Sequence, residues 1–129
     1  MDTYDELPYE STPFAWTHPE NLAVLGFLYG MRTPDPKKCR VLELGCAGGG
    51  NLIPMAWYLP ESCFLGIEVS ATQVRDARNL IQHLGIDNVE IRQDDILQLE
   101  EDLGEFDFII AHGVFSWVPT RVQEKILSI

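Results

Sequence analysis

With 129 residues, 46% of them hydrophobic and 10% aromatic, the chain is long enough to bury one modest core and too short for two. Nine basic against twenty acidic residues give a formal charge of −11, which repels nucleic-acid phosphates and anionic lipid surfaces at long range and argues against nucleic-acid or membrane-surface partners. Cys39, Cys46 and Cys63 are odd in number and lack CxxC spacing, so they suggest neither a closed disulfide framework nor a cysteine zinc site, and a reducing, cytoplasmic setting is expected.

The acidic N-terminus carries Pro8, Pro13 and Pro19 where a secretory signal needs a basic start and an apolar core, and no apolar run reaches membrane-spanning length. Thr17-His18-Pro19-Glu20 then sets a threonine three residues ahead of a glutamate, the spacing of a capping box. Leu22, Leu25, Leu28 and Tyr29 recur at helical spacing up to Gly30, predicting a helix that covers a sheet. The proline-interrupted stretch from Arg32 to Lys38 reads as a linker, separating an N-terminal appendage over residues 1–36 from a domain over residues 37–129.

Arg40 to Leu44 predicts a first strand, followed by a glycine-rich turn and a helix from Asn51 to Leu59. Pro54 falls in the first turn of that helix, where a missing N–H costs little. Cys63 to Val69 reads as a second buried strand. Ser70-Ala71-Thr72-Gln73 is a capping box that opens a helix through Leu84, and Gly85 ends it. Val89 to Gln93 alternates as a third strand, Ile96 to Leu103 makes a short irregular or helical crossing, and Phe106 to Ala111 predicts a fourth strand. Pro119 starts a last helix with Val122, Ile126 and Ile129 on one face.

Strands alternating with helices imply right-handed crossovers, a parallel sheet and an α/β Rossmann-like fold, whose ligands lie at the carboxyl ends of the strands. Four features fall at those ends: the glycine turn, Glu68, Asp94-Asp95 and His112-Gly113. The glycines let the backbone turn sharply and approach a ligand. Glu68, about twenty residues further on, is placed to accept from ribose hydroxyls, with a plain helix-capping acid as its alternative. Asp94-Asp95 could simply cap the short helix after it. Gly45-x-Ala47-x-x-Gly50 also loosely satisfies the dinucleotide fingerprint, so these residues leave an NAD-dependent oxidoreductase open.

Glu43-x-Gly45-x-Ala47-x-Gly49 resembles motif I of the class I S-adenosylmethionine (SAM) methyltransferases, with alanine where the commonest form has glycine. Tyr9-Glu10-Ser11, Pro13-Phe14, Thr17-His18-Pro19, the run from Gly48 to Ala56 and the run from Ile110 to Pro119 are similar to bacterial methyltransferases that carry a methyltransferase regulatory domain. That group includes protein-lysine methyltransferases, and the resemblance spans nearly the whole chain. It implies SAM as cofactor and the N-terminal portion of the class I fold, with parallel strands in the order 3-2-1-4.

It also implies a cofactor site. Glu43 would meet the amino group of the methionine moiety, directly or through water and backbone amides, because a buried carboxylate needs a polar partner. Gly45, Cys46, Ala47, Gly48, Gly49 and Asn51 would form the turn around it, Glu68 and Val69 would take the ribose, and Asp95 and Ile96 would take the adenine. His112 would stand near the methyl end, as a catalytic group that orients a nucleophile or accepts its proton, or as a residue that only holds its loop. Phe115 and Trp117 are expected as core or pocket-wall aromatics. His18 and His83 show no metal-ligand spacing, so no metal is expected.

In the fold this resembles, the sheet has about seven strands ordered 3-2-1-4-5-7-6, and the acceptor pocket draws on loops after strands four to six. The chain carries counterparts of the first four and looks truncated after them. The expectation is therefore the SAM-binding half of a methyltransferase that acts on a protein or lysine side chain in its complete form. Strand four would be an exposed edge, inviting self-association or a missing C-terminal half as partner. A catalytically inactive SAM-binding or interaction module is the alternative.

Overall fold

The computed structural model describes residues 10–100 and 103–129; Pro8 and Tyr9, and Glu101 and Asp102 in the expected crossing, lie outside the described residues. Four parallel strands, β1 (Arg40–Leu44), β2 (Cys63–Glu68), β3 (Val89–Gln93) and β4 (Phe108–Ile110), form one sheet in the order β3-β2-β1-β4. Helices α1 (Pro19–Leu28), α2 (Leu52–Tyr58), α3 (Ala71–Leu84) and α4 (Thr120–Ser128) flank it.

Side chains alternate across the sheet, and the apolar runs of β1 and β2 are buried on both faces. Val41 and Phe64 pack with Leu52, Ile53, Met55 and Ala56 of α2 and with Val74 and Ala77 of α3. Leu42, Leu44, Leu65 and Ile67 face the other way, against Val122 and Ile126 of α4. Glu43 therefore shares the Val41 face, between Gly66 of β2 and Ile110 of β4. That register aims a carboxylate at the start of α2.

Helix α3 begins as its sequence predicts: Ser70 Oγ accepts from Gln73 N at 3.3 Å, and Gly85 closes the helix at φ 66°. Helix α1 departs from expectation at its start. Its N-cap is His18, whose Nδ1 accepts from Glu20 N at 3.3 Å, whereas Thr17 Oγ1 donates to Phe14 O and ends a short 3₁₀ turn over Ala15–Thr17.

Nor does α1 lie on the sheet along its length. Pro19 and Ala23 are buried and Leu22 is half-buried, while Val24, Leu25, Phe27 and Leu28 are exposed. The helix is apolar on all sides, so a single line of contact covers only part of it.

Strand β4 is also shorter than predicted. Phe106 and Asp107 instead clasp Arg40: Asp107 Oδ2 accepts from Arg40 N at 2.7 Å, and the Arg40 guanidinium stands 4.8 Å from the Phe106 ring centroid. As expected, β4 is an edge, with Ile109 exposed and Phe108 and Ile110 buried.

Candidate functional site

The carboxyl ends of the four strands converge on the glycine turn. Gly45 N and Cys46 N both donate to Ile67 O, at 2.8 and 3.1 Å, which fastens the start of the turn to β2. Gly45 sits at φ 69° and Gly49 at φ 77°, a region open to glycine and strained for other residues. Ala47 occupies the left-handed region too, at φ 50°. A Cβ on Gly45 would meet Val114 Cγ2 at 2.5 Å, so the turn lies hard against the loop after β4.

Glu68, at the end of β2, holds the turn from the side. Its Oε2 accepts from Ala47 N at 2.9 Å and its Oε1 from Ser70 N at 3.0 Å. The acid thus joins the middle of the turn to the start of α3 through two backbone amides. Val69 beside it is exposed.

Glu43 is 4% exposed. Its Oε1 accepts from Asn51 Nδ2 at 2.8 Å, and its Oε2 is buried without a partner among the described residues. Burial pushes the carboxyl up from 4.5 to about 7, and the Asn51 bond pulls against that rise. Burial, then the nearby Glu43 and Glu68, hold the Cys46 thiol far above its ordinary value, so it stays protonated.

Asn51 is itself 4% exposed. Besides Glu43, its Nδ2 donates to Thr17 Oγ1 at 2.9 Å, and its Oδ1 accepts from Phe14 N at 2.7 Å. Gly50 N donates to Ser11 Oγ at 2.6 Å, and a Cβ on Gly50 would collide with the Ser11 carbonyl. The segment before α1 therefore lies on the turn.

Asp95 caps the 3₁₀ turn Ile96–Gln98 through Oδ1, which accepts from Leu97 N at 2.9 Å, so the capping reading of this acid is realised. Its position beside Ile96, past the end of β3, is the expected one. His112 is exposed in the loop after β4, with its ring centroid 3.9 Å from that of Phe14. Phe115 packs against the α4-side core, but Trp117 is 85% exposed, against the expectation of a core or pocket-wall aromatic. The loop that carries it has turned its side chain to solvent. An apolar groove of about 280 Å³ between α2 and α3 reaches the turn only at Gly49 and Gly50 and includes none of the four acids or His112.

Sequence reasoning thus brought Glu43, the turn, Glu68, Asp95 and His112 to one end of the sheet. It gave Ser11, Phe14 and Thr17 no place in the site, and Thr17 only a helix cap; they lie 34 to 39 residues from their partners in the turn. Local spacing carries no signal for such pairs.

An acid within the central strand, a glycine turn and an acid ending the neighbouring strand, on a parallel sheet ordered β3-β2-β1-β4, define the Rossmann-like class I methyltransferase fold. The methyltransferase-domain family matches residues 35–127, and the chain belongs to it. It is 44% identical over 126 residues to the uncharacterized protein RP789 of Rickettsia prowazekii, a match covering 98% of this chain and 23% of that protein. The structure of PKMT2 from Rickettsia typhi in complex with AdoHcy superposes with a TM-score of 0.87 at 41% identity, over 93% of this chain and 23% of that one. The ribosomal RNA small subunit methyltransferase G of Flavobacterium johnsoniae is 30% identical over 91 residues, 66% of this chain and 42% of that enzyme. The chain spans less than half the length of each of these three.

Proposed function

We propose that the chain is the SAM-binding part of a SAM-dependent methyltransferase that, in its complete form, methylates a protein side chain, with the lysine amine as acceptor. The unpartnered, buried Oε2 of Glu43 carries the cofactor part of this reading. A carboxyl at such a site needs a cation or donor to compensate for its lost hydration, and the ammonium of a methionine moiety supplies one. A pyrophosphate near the same acid would be repelled, which disfavours NAD. The resemblance to PKMT2, whose structure holds AdoHcy, points the same way.

The remaining residues fit the same ligand. Each Glu68 oxygen accepts one backbone amide and keeps a lone pair for a ribose hydroxyl. Val69 would stand beside the ribose, and Asp95 and Ile96 would flank the adenine, with Asp95 accepting from its exocyclic amine. Gly45, Cys46, Ala47, Gly48 and Gly49 would cradle the methionine end. When bound, the cofactor supplies a methyl group already activated on a sulfonium centre, so the protein's task is to orient the reactants and exclude water. His112, exposed beside the turn, would accept a proton from the acceptor amine.

We take residues 37–129 as the cofactor-binding unit and residues 1–36 as the segment preceding it, whose stretch from Ser11 to Thr17 rests on the turn. The three free cysteines suit a reducing, cytoplasmic setting. Among the described residues no helix is long and apolar enough to cross a membrane.

Calorimetry with S-adenosylhomocysteine (SAH) and NAD in parallel tests the proposal. SAH should bind and NAD should not. Binding of NAD alone would overturn it. A methyl-transfer assay on the chain by itself then decides between an enzyme and a binding module, since turnover by the lone chain defeats the module reading.

A further inference from the structure

We propose that Asn51 is a positioning residue: its carboxamide locks the Glu43 carboxylate to the segment Ser11–Thr17, so that capture of the cofactor at Glu43 and closure of that segment over the glycine turn are coupled. The inference rests on the SAM reading above and deepens it. Asn51 was expected as a direct cofactor contact. Its buried side chain instead gives both Nδ2 donors, to Glu43 Oε1 and Thr17 Oγ1, and its Oδ1 accepts from Phe14 N.

The residue type matters. An aspartate at this position would set a second carboxylate against Glu43, and a leucine would leave Glu43 Oε1, Thr17 and Phe14 N without this partner. A carboxamide donates twice, to the acid and to Thr17, and accepts from the strap at once. Because Asn51 engages Oε1, Oε2 is the oxygen left without a partner among the described residues.

The strap reaches both halves of the site. Ser11 Oγ accepts from Gly50 N at one end, and Phe14 stacks on His112 at the other, where the acceptor would approach. Thr12 and Pro13 between these anchors, and Ala15 and Trp16 after Phe14, are exposed, so a few bonds hold the segment, and the Asn51 bonds are the ones connected to Glu43. An ammonium on Oε2 favours the ionised carboxylate, which strengthens the Asn51 bond and with it the grip on Thr17 and Phe14.

The test is SAH affinity from pH 5.5 to 8.5 for the wild-type chain, Asn51→Ala, Thr17→Val and the double variant. Thr17→Val leaves Glu43 intact and guards against a failure of Asn51→Ala to fold. Of the titratable groups around the turn, Cys46 feels the charges of Glu43 and Glu68 and stays protonated, and Glu68 is held by two amides. Asn51→Ala should weaken SAH binding about tenfold at pH 8, the cost of one hydrogen bond to a charged group. It should also move the midpoint of the pH profile upward, because the bond that favours ionised Glu43 is gone.

Thr17→Val should weaken binding about threefold in the wild-type background and leave it unchanged in the Asn51→Ala background. An equal loss at every pH, or Thr17 and Asn51 effects that simply add, would reduce Asn51 to a structural residue and overturn the coupling while leaving SAM binding intact. No SAH binding by the wild-type chain would remove the cofactor reading itself, and the coupling with it.

Discussion

Asn51 Nδ2 donates to Glu43 Oε1 at 2.8 Å, while the other oxygen of the same buried carboxylate has no partner among the described residues. That asymmetry makes Glu43 a burden on the fold at neutral pH. Its folded value, about 7, lies above the ordinary 4.5, so the folded state holds its proton over a range in which the unfolded chain has lost it. The contribution to stability is fully present below pH 4.5 and is lost as pH rises to 7, an amount of about 3 kcal/mol.

Glu43→Gln should therefore raise stability at pH 8 by about 1 to 3 kcal/mol and change it little at pH 4.5. Urea unfolding at the two pH values measures this. An equal effect at both would mean that Glu43 does not titrate between them.

The same substitution should cost ligand affinity. An ammonium on Glu43 Oε2 requires the ionised acid, so SAH binding by the wild-type chain should weaken roughly tenfold from pH 8 to pH 6, with its midpoint near 7. Glu43→Gln should bind weakly and lose that pH dependence. Calorimetry across the range decides, and a variant that kept the wild-type profile would assign the titration to another group.

Glu68 presents the opposite balance, because both of its oxygens are occupied by backbone amides. Glu68→Ala should cost about 1 to 3 kcal/mol of stability, from the loss of its hydrogen bonds to Ala47 N and Ser70 N. It should also weaken SAH binding by roughly thirtyfold or more, about 2 kcal/mol, through the lost ribose contacts. Because the turn itself loosens, Glu68→Gln is the companion measurement. It keeps one acceptor oxygen, and its effect on both quantities should fall between those of wild type and alanine. Affinity unchanged in both variants would remove Glu68 from the site.

The sheet and the order of its loops were legible because they follow from period and punctuation: apolar runs from Arg40 and Cys63, glycine after Leu44 and Leu84, and an acid at the end of β2. The features that escaped depend on long-range pairing. Thr17 and Glu20 spell a capping box, yet the Thr17 hydroxyl is spent on Phe14 and Asn51, and His18 takes the cap. Phe106 and Asp107 read as strand, but pairing with Arg40 draws them out of β4. The stripe Leu22, Leu25, Leu28 predicts one buried face, whereas α1 is apolar all round and buries a different line through Pro19 and Ala23. In the site, the acids were visible as sequence and their partner Asn51 as residue type, but its bonds to Thr17 and Phe14 had no local signature.

Gly66 sits beside Glu43 in the β1–β2 register, and a Cβ there would lie 2.6 Å from Cys46 Sγ and 2.7 Å from Ile91 Cδ1. The missing side chain is what lets Cys46 fold inward from the turn and occupy the core. Gly66→Ala should destabilise the chain by about 1 to 3 kcal/mol, the range for overfilling a packed core, despite the gain alanine normally brings to a strand. Cys46→Ala alone should cost about 1 kcal/mol for the buried sulfur it removes. Combined, the two should cost less than their sum, because the added methyl takes the space the sulfur vacates. Urea midpoints of the four proteins close this cycle, and strictly additive costs would show that Cys46 and Gly66 do not share that space.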